Sequence, residues 1–140
     1  MRTLGIDLGS KRVGIALSDS GGVLATPYEV LQRSSDRPRD HRAIKAMAEE
    51  LGVEIIVVGL PLSLDGSIGP AAEAALAEIE EMRIVMDVPV EPYDERLTTV
   101  TAERALMEQN LNAKERRKVV DKVAAAVLLQ AWLEGPGSRS

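Results

Sequence analysis

The 140-residue chain contains no cysteine, no phenylalanine, one histidine, one tryptophan and two tyrosines. Without cysteine it can form neither a disulfide nor a thiolate metal site, and secretion gains no support. A single histidine leaves zinc short of its usual ligands. Tyr28, Tyr93 and Trp132 are too few to build the base-stacking platforms that hold single strands. Apolar runs are short: Ile55–Leu62 and Val123–Leu129 cannot span a bilayer. Asp7 interrupts the apolar start, so no signal-peptide pattern forms. A cytoplasmic protein without membrane contact is expected. The net charge of −5 offers a polyanion no global attraction, so a nucleic acid would be held through local basic patches on its backbone. Repeats and linkers are also lacking, which predicts a single domain over residues 1–134 and a flexible tail over 135–140.

What is present is organised around the first nineteen residues. Two apolar runs flank Gly9-Ser10-Lys11-Arg12, the pattern of a β-hairpin. Leu4, Ile6 and Leu8 point to one face, as do Val13, Ile15 and Leu17 of the second run. The opposite face carries Thr3, Gly5, Asp7, Gly14, Ala16 and Ser18: it is nearly bare apart from one carboxylate. A lone carboxylate inside an apolar strand is costly to bury, so Asp7 needs a cation or a donor beside it.

A third run, Val23 to Leu31, is broken by Pro27 and suits an edge strand. A helix near Pro38, bearing Ile44, Met47, Ala48 and Leu51, ends at Gly52, and His41 is expected to be solvated in its first turn. The β-branched run Val53 to Gly59 reads as a parallel strand buried on both faces. Pro70 opens a second helix, with Ala72, Leu76, Ile79 and Met82 as its apolar stripe. Val88 to Tyr93 forms another strand, with Asp94, Glu95 and Arg96 at its end. Thr98 or Thr99 can cap a further helix, to about Glu108. Asn112 and Glu115 have capping-box spacing for a last helix to Glu134, whose core stripe is Val120, Val123, Ala124, Val127, Leu128 and Ala131. Asp121 projects among Ala124, Ala125, Leu128 and Trp132, so a second carboxylate lies on a sheet-facing surface. The small residues around it match the bare face of the hairpin.

Asp7, the Asp94/Glu95 pair and Asp121 form a set of acids at awkward or poised positions. Hard cations such as Mg²⁺ take a few carboxylates plus water, and two such ions can activate a water and stabilise a leaving oxygen. Each acid taken singly can equally cap a turn or pair with a neighbouring cation.

The segments Gly5 to Asp19, Val58 to Leu62 with Asp65, Gly66 and Ser67, Asp94 to Thr99, and Val120 to Ala125 together resemble the YqgF family, also called RuvX. The resemblance covers residues 2–134 in order. It implies an α/β, ribonuclease H-like fold: a mixed five-stranded sheet, three antiparallel strands then two parallel, with helices on both faces. It also implies a nuclease using Mg²⁺ or Mn²⁺, in a family of pre-16S rRNA nucleases related to Holliday junction resolvases. Asp7 and Asp121 match the family's first-strand and last-helix aspartates. Glu95 is chosen as the remaining metal ligand and catalytic acid, with Asp94 as the alternative. Lys11, Arg12, Asp65, Arg96 and Lys122 are the candidate substrate contacts, joined by Arg116, Arg117 and Lys118 on the last helix. Implied partners are structured RNA, foremost pre-16S rRNA in ribosomal precursor particles, or branched DNA; the active unit is a monomer or a homodimer. Two competing readings are an actin-like phosphotransferase, which needs a second phosphate loop that this chain lacks, and a non-catalytic RNA- or ribosome-associated module.

Overall fold

A computed structural model describes the backbone of residues 1–97 and 113–139, and the side chains of residues 1–96 and 121–137. The elements run β1 (Thr3–Leu8), β2 (Arg12–Ser18), β3 (Ala25–Gln32), α1 (Arg37–Leu51), β4 (Ile55–Leu60), α2 (Pro70–Val85), β5 (Val90–Asp94) and α3 (Ala113–Glu134). The five strands form one sheet in the order β3-β2-β1-β4-β5. β1, β2 and β3 pair antiparallel, whereas β4 joins β1 and β5 joins β4 in parallel. This is the expected mixed sheet.

Strand alternation sorts the side chains into two layers. Leu4, Ile6, Val13, Ile15, Ile56 and Val58 pack on Ile44 and Ala48 of α1 and on Ile79 and Met82 of α2. Ala16, Ile55 and Val57 meet Ala125, Leu129, Trp132 and Leu133 of α3 on the other face. Pro27 does sit on an edge strand: β3 borders only β2, and its register slips opposite Ile15 and Ala16. An edge spares the ladder the N–H that proline lacks.

Helix ends follow local chemistry. Asp36 caps α1 by accepting from the Arg39 backbone N–H at 3.2 Å. Gly52 ends it in the left-handed region at φ 68°, donating to the Ala48 and Glu49 carbonyls. His41 departs from expectation. It is only 2% exposed, because His41, Ile44 and Ala48 share one face of α1 and the helix turns that face inward.

The bare face of the hairpin has a physical partner. A Cβ on Gly14 would lie 2.0 Å from the Asp121 carbonyl oxygen, and one on Gly5 2.7 Å from Leu129 Cβ. The backbone of α3 therefore rests directly on the sheet. Its buried centre is Ala124, Ala125, Leu128, Leu129 and Trp132. Val123, Val127 and Ala131, expected in the core stripe, are half-buried at its border, because the alanines fit the glycine strip and set the helix rotation. The expected caps at Thr98, Thr99 and Asn112, the helix toward Glu108 and the side chains of Val120, Glu115, Arg116, Arg117 and Lys118 lie outside the described residues. After α3, Pro136–Arg139 form a 3-10 turn and Gly137 lies against Trp132. No helix among the described residues is long and apolar enough to cross a membrane.

Adding one methyl group at the Gly14 contact should force α3 off the sheet. Gly14→Ala is expected to destabilise the fold by about 3 kcal/mol, the upper range for overpacking, measured by urea unfolding. Gly21→Ala, where a Cβ meets nothing closer than 3.8 Å, should change it by less than about 0.5 kcal/mol.

Candidate active site

Asp7 lies toward the C-terminal end of β1 on the face covered by α3, and is 6% exposed. Its cross-strand partner on β2 is Gly14. On the other side, the parallel register that pairs Ile6 with Val58 brings Gly59 of β4 alongside. Each flanking glycine receives an acid-bearing segment. The Asp121 backbone lies on Gly14, and the Glu95 side chain lies over Gly59, where a Cβ would be 3.1 Å from Glu95 Cγ and Oε1. Asp7, Glu95 and Asp121 consequently line one cleft of about 1290 Å³. Lys11 and Arg12 from the hairpin tip line it too. Arg12 Nε donates to Asp121 Oδ2 at 2.7 Å.

The neighbouring acid is engaged elsewhere. Asp94 accepts from Arg96 Nη2 at 2.6 Å and from the Arg96 backbone N–H at 2.9 Å. The Arg96 side-chain bond is the main reason its carboxyl is held below the usual range. Arg96 Nη1 also reaches the Leu64 carbonyl at 3.2 Å, so this side chain ties the loop after β4 to the end of β5. Asp65 closes its own turn, accepting from the Ser67 hydroxyl at 2.6 Å and the Ser67 N–H at 2.9 Å. Of the expected substrate contacts, Lys11 and Arg12 border the cleft, whereas Asp65, Arg96 and Lys122 do not.

Three carboxylates with no histidine or cysteine among them suit a hard cation such as Mg²⁺ or Mn²⁺. Among the described residues no three such donors converge tightly enough to hold one ion as they stand. The donor chemistry fits a metal, and the arrangement is open.

A family model described as RuvX, Holliday junction resolvase, matches residues 1–135. The chain belongs to the RuvX family. A relative from Desulforudis audaxviator, named "Putative pre-16S rRNA nuclease", is 44% identical over 133 residues, covering 95% of this chain and 94% of its own. One from Geobacillus kaustophilus with the same name is 43% identical over 136 residues, covering 96% and 98%. The solved structure of Thermus thermophilus RuvC superposes with a TM-score of 0.59 at 19% identity, covering 96% of each chain. That likeness places this RuvX chain in the ribonuclease H-like fold that the resemblance implied.

The RuvX cleft also has a polar wall that the sequence reading did not single out as functional. Glu78 of α2 lines it at 4% exposure. The Arg33 guanidinium meets both Glu78 oxygens at 2.9 Å, and His41 Nε2 lies 2.8 Å from Oε2. Asp40 is buried nearby and accepts from the Ser34 hydroxyl at 2.7 Å. A signal was available for Glu78: it sits between Ala75, Ile79 and Met82 on the apolar stripe of α2, the same anomaly that marks Asp7. His41 gave none, because a first-turn histidine is ordinarily solvated.

Burial alone would raise the Glu78 pKa, but the hydrogen bonds from Arg33 and His41 outweigh it and hold the carboxyl below its usual value. A lowered folded-state pKa means stabilisation that is complete above the unfolded value, about 4.3, and lost as pH falls through the folded one. Glu78→Gln should therefore cost about 3 kcal/mol near neutral pH. The gap from wild type in urea unfolding should shrink as pH drops below about 4.3.

Proposed function

We propose that this chain is a divalent-metal-dependent nuclease that hydrolyses phosphodiester bonds of structured RNA, acting in the cytoplasm on the 5′ end of pre-16S rRNA within ribosomal precursor particles. The observation that carries the reading is the convergence of Asp7, Glu95 and Asp121, from three separate elements, on one cleft that also holds Lys11 and Arg12. The names of its relatives support the RNA substrate. The catalytic unit is the single domain over residues 1–134.

Asp7, Glu95 and Asp121 would hold the metal, with Glu95 in preference to Asp94, because Glu95 overlies Gly59 and lines the cleft whereas Asp94 does not line it. A divalent cation bound there supplies the positive charge that activates water and stabilises the leaving oxygen. Lys11 and Arg12 attract the phosphate backbone and set it across the acids, positioning the substrate without reading its bases. Arg12 does this from a tip already turned toward Asp121. The buried position of Asp7, closed off by α3, keeps its carboxylate out of bulk water and strengthens its charge interactions.

The family description favours a second reading, a resolvase-type endonuclease on branched DNA. Matched structured RNA and four-way junction DNA, incubated with Mg²⁺ or Mn²⁺, separate the two. A protein that binds RNA but cleaves neither substrate would be a non-catalytic module instead.

Asp7→Asn, Glu95→Gln and Asp121→Asn are each expected to lower cleavage by more than about 100-fold, beyond the loss typical of a metal's outer partners, with circular dichroism unchanged. Asp94→Asn should keep cleavage within about tenfold of wild type. Full metal-dependent cleavage by Asp7→Asn would refute the assignment.

A further inference from the structure

Along one wall of the cleft runs a buried polar chain that the proposed chemistry leaves unused. It begins at His41 on α1, passes through Glu78 on α2, and reaches Arg33 just after β3. Replacing a buried ionic cluster by apolar residues of similar volume is often neutral or stabilising. Stability alone therefore gives weak grounds for a glutamate and a histidine that are 4% and 2% exposed.

The far end of the chain supplies a better reason. While Arg33 Nη1 and Nη2 hold Glu78, its Nε donates to the Gly9 carbonyl at 2.7 Å. The Arg33 backbone N–H donates to the Lys11 carbonyl at 3.0 Å. Within the tip, the Gly9 N–H donates to the Arg12 carbonyl at 2.9 Å. One side chain thus grips the β1–β2 tip on one side and Glu78 of α2 on the other, and Glu78 in turn meets His41 of α1. Arg12, carried by that tip, spans to Asp121 on the opposite helical layer at 2.7 Å. Only a planar guanidinium offers donors in this fixed fork, so lysine is no substitute.

We propose that Arg33 is a positioning residue for the cleft: clamped by Glu78, which His41 holds in turn, it sets the hairpin tip so that Arg12 and Lys11 meet the substrate backbone beside Asp121. This rests on the nuclease reading of that cleft. Arg33 lines the same cleft, but its Nε, Nη1 and Nη2 are engaged by Gly9 and Glu78, so it acts through the tip.

Arg33→Ala is expected to weaken equilibrium binding of a structured RNA about tenfold, the scale of one lost charged hydrogen bond. KM should rise by a similar factor, with kcat within about threefold of wild type. Amide exchange at Gly9 and Arg12 should accelerate, and Arg33→Lys should restore neither property. In an Arg12→Ala background the further change Arg33→Ala should weaken binding by less than about twofold, because two residues acting through one contact are not additive. Should Arg33→Ala fail to fold, Glu78→Gln provides a milder loosening of the same clamp and should give the same pattern. Additive losses from Arg12 and Arg33, or unchanged exchange at the tip, would overturn the proposal. A wild-type protein that neither binds nor cleaves RNA would defeat the nuclease reading instead, and tip exchange would then still decide whether Arg33 holds the hairpin.

Discussion

The structure depends on one close approach: the backbone of α3 laid directly on the glycine strip of the β1–β2 hairpin. Gly5 and Gly14 leave no room for a methyl group between sheet and helix. Ala124 and Ala125 complete the fit from the helix side. A contact this tight adds dispersion energy over many atom pairs, and it also fixes the height and rotation of α3 over the sheet. Asp121 is positioned by that rotation, since its own carbonyl forms the contact with Gly14.

The same device recurs on the other side of Asp7. Gly59 leaves the space that Glu95 fills, so the two strands flanking β1 each lack a side chain next to the buried aspartate. Three carboxylates can then border one cleft without crowding from larger neighbours. Mutual repulsion among them is eased by cations already in the fold: Arg12 reaches Asp121, and Arg96 draws off Asp94 so that the acid beside Glu95 does not add its charge to the cleft.

A second layer of ionic contacts holds the cleft's rim. Arg33 joins the hairpin tip to Glu78 of α2, which meets His41 of α1, and Arg12 joins the same tip to α3. The tip thus touches both helical layers, α2 through Arg33 and α3 through Arg12. Exposed ion pairs contribute little, but these are largely shielded, and the two-bonded Arg33–Glu78 fork has directional force.

Much of this was legible along the chain because it depends on local periodicity. Alternation in β1 and β2 determines which face is apolar and which is bare, and Gly52, Pro38 and Pro70 mark helix boundaries by backbone chemistry alone. An acid within an apolar pattern identified Asp7 and Asp121, and four ordered motifs carried the family. The sequence by itself determined the order of the described elements, the two-layered core and the acids set within apolar patterns, since each is encoded within a few residues. Only the tertiary structure decided that Glu95 overlies Gly59 while Asp94 serves Arg96, because two adjacent acids at a strand end are locally equivalent until the fold lays one of them over a neighbouring strand. It alone buried His41 against Glu78 and turned Arg33 onto Glu78 and Gly9, since those partners lie 37, 45 and 24 positions apart, and no local pattern records a contact made by packing two helices against the end of a sheet.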